Sequence, residues 1–259
     1  MSGLIRATGV LPPSSTTIKG AASGCNGSCP STRATSVGDT KAPEQRPFAA
    51  VVGCADARVP VELIFNEGPN ELFVMRVAGN ALGPDVLGSL KYATDRLSDS
   101  LKLVVVLGHS GCGALTAAVD IFLEPADYLP LATKHSLRTI VDGLLVVVQA
   151  AAKRFQEEFG PDVVARPGYR AALIEASIVT NAALAAYSIQ QESALARGTG
   201  LEAVYGVYLL DARRVWAPTA GDPSGFGLAR APRDPAAFAE FGHAVARSER
   251  IKSLIERGP

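Results

Sequence analysis

Several things are scarce in this chain of 259 residues, and each scarcity closes off a class of function. It has four cysteines, Cys25, Cys29, Cys54 and Cys112, too few for a disulfide scaffold at this length. Charge of one sign is not in excess: 25 Lys and Arg face 25 Asp and Glu. The basic surplus that holds nucleic acid or an anionic membrane is therefore missing. Apolar runs such as GLLVVVQAAA, from Gly143, fall well short of the ~20 residues that cross a bilayer, so no transmembrane helix is expected. The chain has three histidines, His109, His135 and His243. Neither His135 nor His243 sits in a motif that marks a proton shuttle. Against these absences stands a hydrophobic content of 47%, enough for a sizeable core and against wholesale disorder.

Residues 1–44 are rich in Ser, Thr, Gly, Pro and Ala and keep no period of 2 or 3.6, which predicts an irregular or extended arm. Before Asp39 the arm carries only basic charges, Arg6, Lys19 and Arg33, which suits either a flexible leader or an organelle transit peptide. Cys25 and Cys29 have no second ligand pair near them, so they make a poor zinc motif. The remainder, residues 45–259, is expected to form a single domain. The cytosol is the expected compartment, with an organelle as the alternative should the arm be a transit peptide.

From Arg46 the texture changes. PFAAVVG, LFVMRVA from Leu72 and LKLVVVLG from Leu101 are continuous apolar runs of strand length, and DVLGSLKYATDRL between the last two has helical spacing. ALTAAVDIFL, SLRTIVDGLLVVVQAAAKRFQEEFG and RAALIEASIVTNAALAAYSIQQESALARG read as further helices. The second is closed by Gly160 and Pro161; the third is amphipathic with a stop at Arg197 and Gly198. EAVYGVYLLDARRVW reads as a late strand and turn, and AAFAEFGHAVARSERIKSLIER is helix-like. The expected fold is α/β: a mostly parallel central β-sheet flanked by helices.

The stretch VVVLGHSGCGAL, Val104 to Leu115, admits three kinds of chemistry. A phosphate loop needs Lys and a hydroxyl after its last glycine, but Ala114 and Leu115 follow Gly113. A serine elbow needs glycine at the fifth position, where Cys112 stands, and Ser110 has no Asp-then-His partners downstream in the required order. A metal site needs a third ligand, and VVGCADARVP supplies Cys54 at the end of another apolar strand. Parallel α/β sheets open their crevices at such carboxyl ends. Two thiolates and one imidazole then make a three-ligand zinc set with one position free, the pattern of a catalytic site.

CADARVP followed by GHSGCGA resembles the β-class carbonic anhydrases, closely from Gln45 to Val119 and more loosely as far as Asp211. The resemblance implies one Zn2+ per subunit on Cys54, His109 and Cys112, with Asp56 and Arg58 as a catalytic dyad. It implies substrate contacts from Gln45, Phe73, Tyr92 and the backbone N–H of Gly113, with Ala78 where some plant members carry a bulkier residue. It also implies a homodimer or dimer-based oligomer whose clefts lie at the subunit interface, acting on CO2 and bicarbonate. The family's helical N-terminal clasp has no counterpart before Gln45, and GFGLARAPRDP matches nothing in the family pattern. Val51 replaces the Trp of members inhibited through a non-catalytic bicarbonate site, so no such inhibition is expected.

The implied reaction is reversible hydration of CO2, for which zinc acidifies a bound water. Two thiolates cancel the metal's formal charge, so activity is expected to rise above about pH 7 to 8. Asp56 would accept a hydrogen bond from the nucleophile and Arg58 would hold Asp56 ionised. The alternatives are a CS2 or COS hydrolase on the same ligands and a catalytically silent zinc-binding interaction protein.

Overall fold

The computed structural model describes residues 43–195 and 201–257. Cys25, Cys29 and the helix stop expected at Arg197 and Gly198 lie outside the described residues.

Four parallel strands carry the fold: β1 (Ala49–Gly53), β2 (Leu72–Arg76), β3 (Leu103–His109) and β4 (Glu202–Leu209). They lie in the order β2-β1-β3-β4, and two short antiparallel pieces, β5 (Arg214–Trp216) and β6 (Ala229–Arg230), follow one another along the outer edge of β4. The parallel sheet read from the apolar runs is what forms, because strands without polar alternation can be buried on both faces. Alternate residues serve the two faces. Ala50, Val52, Val104, Val106 and Tyr205 enter the larger core; Val51, Val105, Leu107 and Tyr208 enter the smaller one.

Among the described residues, one short helix, α1 (Val61–Phe65), packs on the smaller face through Val61, Ile64 and Phe65. The larger face takes α2 (Pro84–Arg96), α3 (Gly113–Leu123), α5 (His135–Phe159), α6 (Tyr169–Leu195), α7 (Pro235–Arg247) and α8 (Glu249–Arg257); a short α4 (Tyr128–Ala132) precedes α5. The run LLVVV, strand-like in isolation, belongs to α5: Leu144, Val147, Val148, Ala151 and Phe155 are buried at helical spacing while Val146 is exposed. Gly160, at φ 85°, ends that helix as expected.

Three expectations need correction. α6 is not amphipathic: Ala172, Leu173, Ile174, Ala176, Ser177, Ile178 and Val179 are all buried, so it is enclosed round most of its circumference. Its stretch Tyr169–Glu192 is also long and apolar enough to cross a membrane, contrary to the estimate from apolar runs, but 78% of that window is buried inside the protein. The C-terminal segment likewise forms two helices rather than one. Asp234 caps α7 by accepting from the Ala237 N–H at 2.9 Å, and the chain breaks at Ser248, whose ψ of 145° ends α7 before α8 begins.

Candidate metal centre

Strand register puts the ligands together. Gly53 pairs with Leu107 across β1 and β3, so Cys54 and His109 leave adjacent parallel strands at the same carboxyl end. Gly111, at φ 64°, turns the chain, and Cys112 becomes the residue that caps α3. The donor atoms of Cys54, His109 and Cys112 all lie within 4.8 Å of one another, and the three residues are buried. Among the described residues this is the one such cluster of His, Cys, Asp and Glu.

The histidine is oriented for coordination. Its Nδ1 lies 3.0 Å from the Ser110 carbonyl oxygen, a position in which Nδ1–H donates. That leaves the Nε2 lone pair free, and Nε2 is buried with no hydrogen-bond partner. A buried ring nitrogen unpaired in this way, beside two cysteine sulfurs, fits a soft or borderline divalent cation. The sulfurs agree with that fit. The neighbouring Cys112 side chain is the main cause that pushes the Cys54 thiol well down, and burial opposes it. The neighbouring Cys54 side chain, together with burial, pushes the Cys112 thiol up, while the Leu115 and Ala114 N–H groups at the start of α3 work the other way.

Asp56 sits beside this cluster. Its Oδ1 accepts from the N–H and Nε of Arg58, each at 2.9 Å, and its Oδ2 accepts from Nη2 at 2.7 Å. Oδ2 also lies 3.8 Å from Nε2 of His109. The side-chain hydrogen bonds from Arg58 are the main reason the Asp56 carboxyl is held below the usual carboxylate range; partial burial opposes them. Asp56 is thus an ionised acceptor next to the donor set. Gly113 opens α3, where the backbone N–H has no intrahelical partner.

The other candidate residues lie elsewhere. Gln45 precedes β1 and is exposed; the flanking backbone is pinned to Asn70, whose Oδ1 accepts from the Arg46 N–H and whose Nδ2 donates to the Glu44 carbonyl, each at 3.0 Å. Phe73 pairs with Ala50, four residues before Cys54, or about 13 Å along the strand at the usual rise. Its ring lies 6.5 Å from that of Tyr92 on α2, which is 53% exposed. These three residues therefore belong to the β2 side of the sheet, away from Cys54, His109 and Cys112.

Some supporting residues escape a reading of the sequence. Arg76, at the end of β2, donates to the carbonyl oxygens of Cys54, at 2.9 Å, and Asp56, at 2.5 Å. Ser110 is a stitch to the next strand: its Oγ accepts from the Leu210 N–H at 2.9 Å. Asn181 of α6 donates to the Gly79 carbonyl at 2.9 Å, and Glu175 of α6 accepts from the Gly111 N–H at 2.9 Å. The signal for Arg76 is a cation at the end of an apolar strand; Asn181 and Glu175 have no local signal.

A parallel α/β sheet here bears two thiols, one imidazole and an Arg-held carboxylate at its carboxyl end, a donor set that could hold a metal ion. The family model described as carbonic anhydrase matches residues 49–209, and the chain belongs to that family. It is similar to carbonic anhydrase 2 of Mycobacterium tuberculosis, 48% identical over 75 residues that cover 29% of this chain and 35% of that protein. The match thus spans about a third of the curated relative's length. Among solved structures, it resembles a Coccomyxa β-carbonic anhydrase in complex with acetazolamide, at 26% identity and TM-score 0.50, covering 74% of this chain and 78% of that one. It also resembles the β-carbonic anhydrase CcaA, whose 21% identity and TM-score of 0.53 speak to the fold alone; 73% of this chain and 80% of that one are covered.

Proposed function

We propose that this chain hydrates carbon dioxide reversibly, using zinc held by Cys54, His109 and Cys112. The observation that carries the reading is the unpartnered, buried Nε2 of His109 facing two cysteine sulfurs, with an ionised Asp56 beside it. Zinc, when bound, lowers the pKa of a water and so supplies a nucleophile for CO2 at moderate pH. The chain's own residues do the rest. Asp56, kept ionised and aimed by Arg58, accepts the nucleophile's remaining proton in a hydrogen bond and turns a lone pair toward the carbon. Ser110 fixes the histidine tautomer through its carbonyl, and Arg76 fixes the backbone that carries Cys54 and Asp56.

Gln45, Phe73 and Tyr92 enter this proposal as substrate-lining groups supplied across an interface by a second copy. Their distance from the ligands of their own chain supports that reading, and it makes a dimer the minimal functional unit. The test is stopped-flow CO2 hydration paired with zinc analysis, on the wild type and on Asp56→Asn. The variant should keep its zinc and lose most of its activity, since an amide presents a donor where an acceptor is needed. Near-normal turnover in zinc-loaded Asp56→Asn refutes the role given to Asp56. Release of sulfide from CS2 or COS without CO2 hydration replaces the proposed substrate.

A further inference from the structure

The peptide of Gly111 is held at both ends. Its N–H donates to Oε1 of Glu175 at 2.9 Å. Its carbonyl accepts a long bond, 3.5 Å, from the same Nη2 of Arg58 that binds Asp56. Glu175 projects from the enclosed helix α6 and is only 8% exposed. Its other oxygen, Oε2, accepts from Nε and Nη2 of Arg250 on α8, at 3.0 and 2.8 Å. Arg250 Nη1 also lies 3.6 Å from Oδ2 of Asp211, just beyond β4. A carboxylate at this depth is costly unless its lone pairs are answered, and here one oxygen is answered by the ligand loop and the other by a fork from the C-terminal helix. Neither Glu175 nor Arg250 has a part in the chemistry described above. The residue they converge on is the turn between the second and third metal donors.

We infer that Arg250 is a positioning residue of the metal centre, acting through Glu175 to hold the Gly111 peptide. That peptide sets how His109 and Cys112 converge and braces Arg58, which aims Asp56. The C-terminal helix α8 is then a strut of the metal loop rather than an appendage. The inference rests on the zinc reading of the preceding section and deepens it.

The experiment uses the full chain, with Arg250→Ala, Glu175→Gln, Arg250→Lys and, as a control, Arg247→Ala, which removes the 2.7 Å pair between Arg247 on α7 and Glu158. Three quantities are read: zinc transfer to a chelator, the absorption spectrum of the cobalt(II)-substituted protein, and hydrogen exchange at the Gly111 amide without metal. Arg250→Ala should release zinc about 10- to 100-fold faster, the range typical for lost outer partners of metal ligands, with an altered thiolate-to-cobalt band and faster Gly111 exchange. Arg250→Lys, keeping the charge but not the fork, should fall between it and the wild type. Arg247→Ala should match the wild type in all three. Should Arg250→Ala fail to fold, Glu175→Gln, which keeps an acceptor for Gly111 but loses the charge that Arg250 answers, carries the same readouts. Spectra and release rates within twofold of wild type in both Arg250→Ala and Glu175→Gln overturn the inference alone. A wild type that takes up no zinc or cobalt overturns it together with the reading on which it rests.

Discussion

Gly111→Ala isolates what the metal loop costs. Among the described residues no atom lies within 4 Å of the Cβ that alanine would add, so sterics contribute nothing and the effect is backbone conformation. At φ 64°, an L-residue in the left-handed region is disfavoured by about 1–2 kcal/mol. Alanine also stiffens the unfolded chain, returning about 0.4–1 kcal/mol. Taken at their midpoints, the two effects leave a net loss of folding stability of about 0.8 kcal/mol. Where the loss is felt is the informative part. The turn is held by protein groups: Glu175 accepts from the Gly111 N–H and Arg58 reaches the Gly111 carbonyl. The strain therefore belongs to folding, and zinc affinity should change by less than about fivefold. Urea unfolding of the metal-free protein and chelator competition together separate the two. If the metal-free variant is as stable as wild type while zinc binds about 5- to 30-fold more weakly, the loop is shaped by the metal and not by Glu175.

Two further perturbations probe the packing of the C-terminal helices. A Cβ at Gly168 would come within 1.8 Å of the Leu254 backbone carbonyl, so Gly168→Ala must displace α8. It should cost about 1–3 kcal/mol in denaturant unfolding, as overpacking against rigid neighbours does, and an unchanged midpoint contradicts the docking of α8. Glu158 offers a pH test: the hydrogen bond from Arg247, opposed by burial, holds its carboxyl below the ordinary value. A depressed folded-state pKa contributes stability that is present above the unfolded value, about 4.3, and fades as pH falls through the folded one. Wild type should therefore exceed Arg247→Ala in stability near neutrality and converge with it as acid is added below about pH 4. A gap that widens on acidification has the wrong sign for this pair.

The strands and the meeting of Cys54, His109 and Cys112 were legible because their signals are local. Ala49 to Gly53 and Leu103 to His109 are apolar without interruption, so burial on both faces follows from the run itself. Cys54 and His109 stand where those runs stop, and parallel pairing of the two strands brings them to one edge. What was illegible depends on partners far along the chain. Glu175 and Arg250 are 75 residues apart, and each looks like an ordinary helical charge until α6 and α8 meet. α6 read as amphipathic because of its polar residues, yet Thr180 bonds its hydroxyl back to the Ala176 carbonyl at 2.8 Å and Asn181 reaches Gly79. Polar groups satisfied in this way sit inside a core, and periodicity alone does not separate them from a solvent face. Gln45, Phe73 and Tyr92 show a different limit: the resemblance singles them out, but the structure places them on the β2 side of the sheet, away from Cys54, His109 and Cys112.

Zinc K-edge X-ray absorption on the purified, metal-replete protein tests the metal centre most directly. The expected first shell is two sulfurs at about 2.3 Å, one imidazole nitrogen at about 2.0–2.1 Å and one further light atom that anions or water can exchange. A shell with fewer than two sulfurs, or a fourth position filled by a protein side chain at neutral pH, contradicts the account.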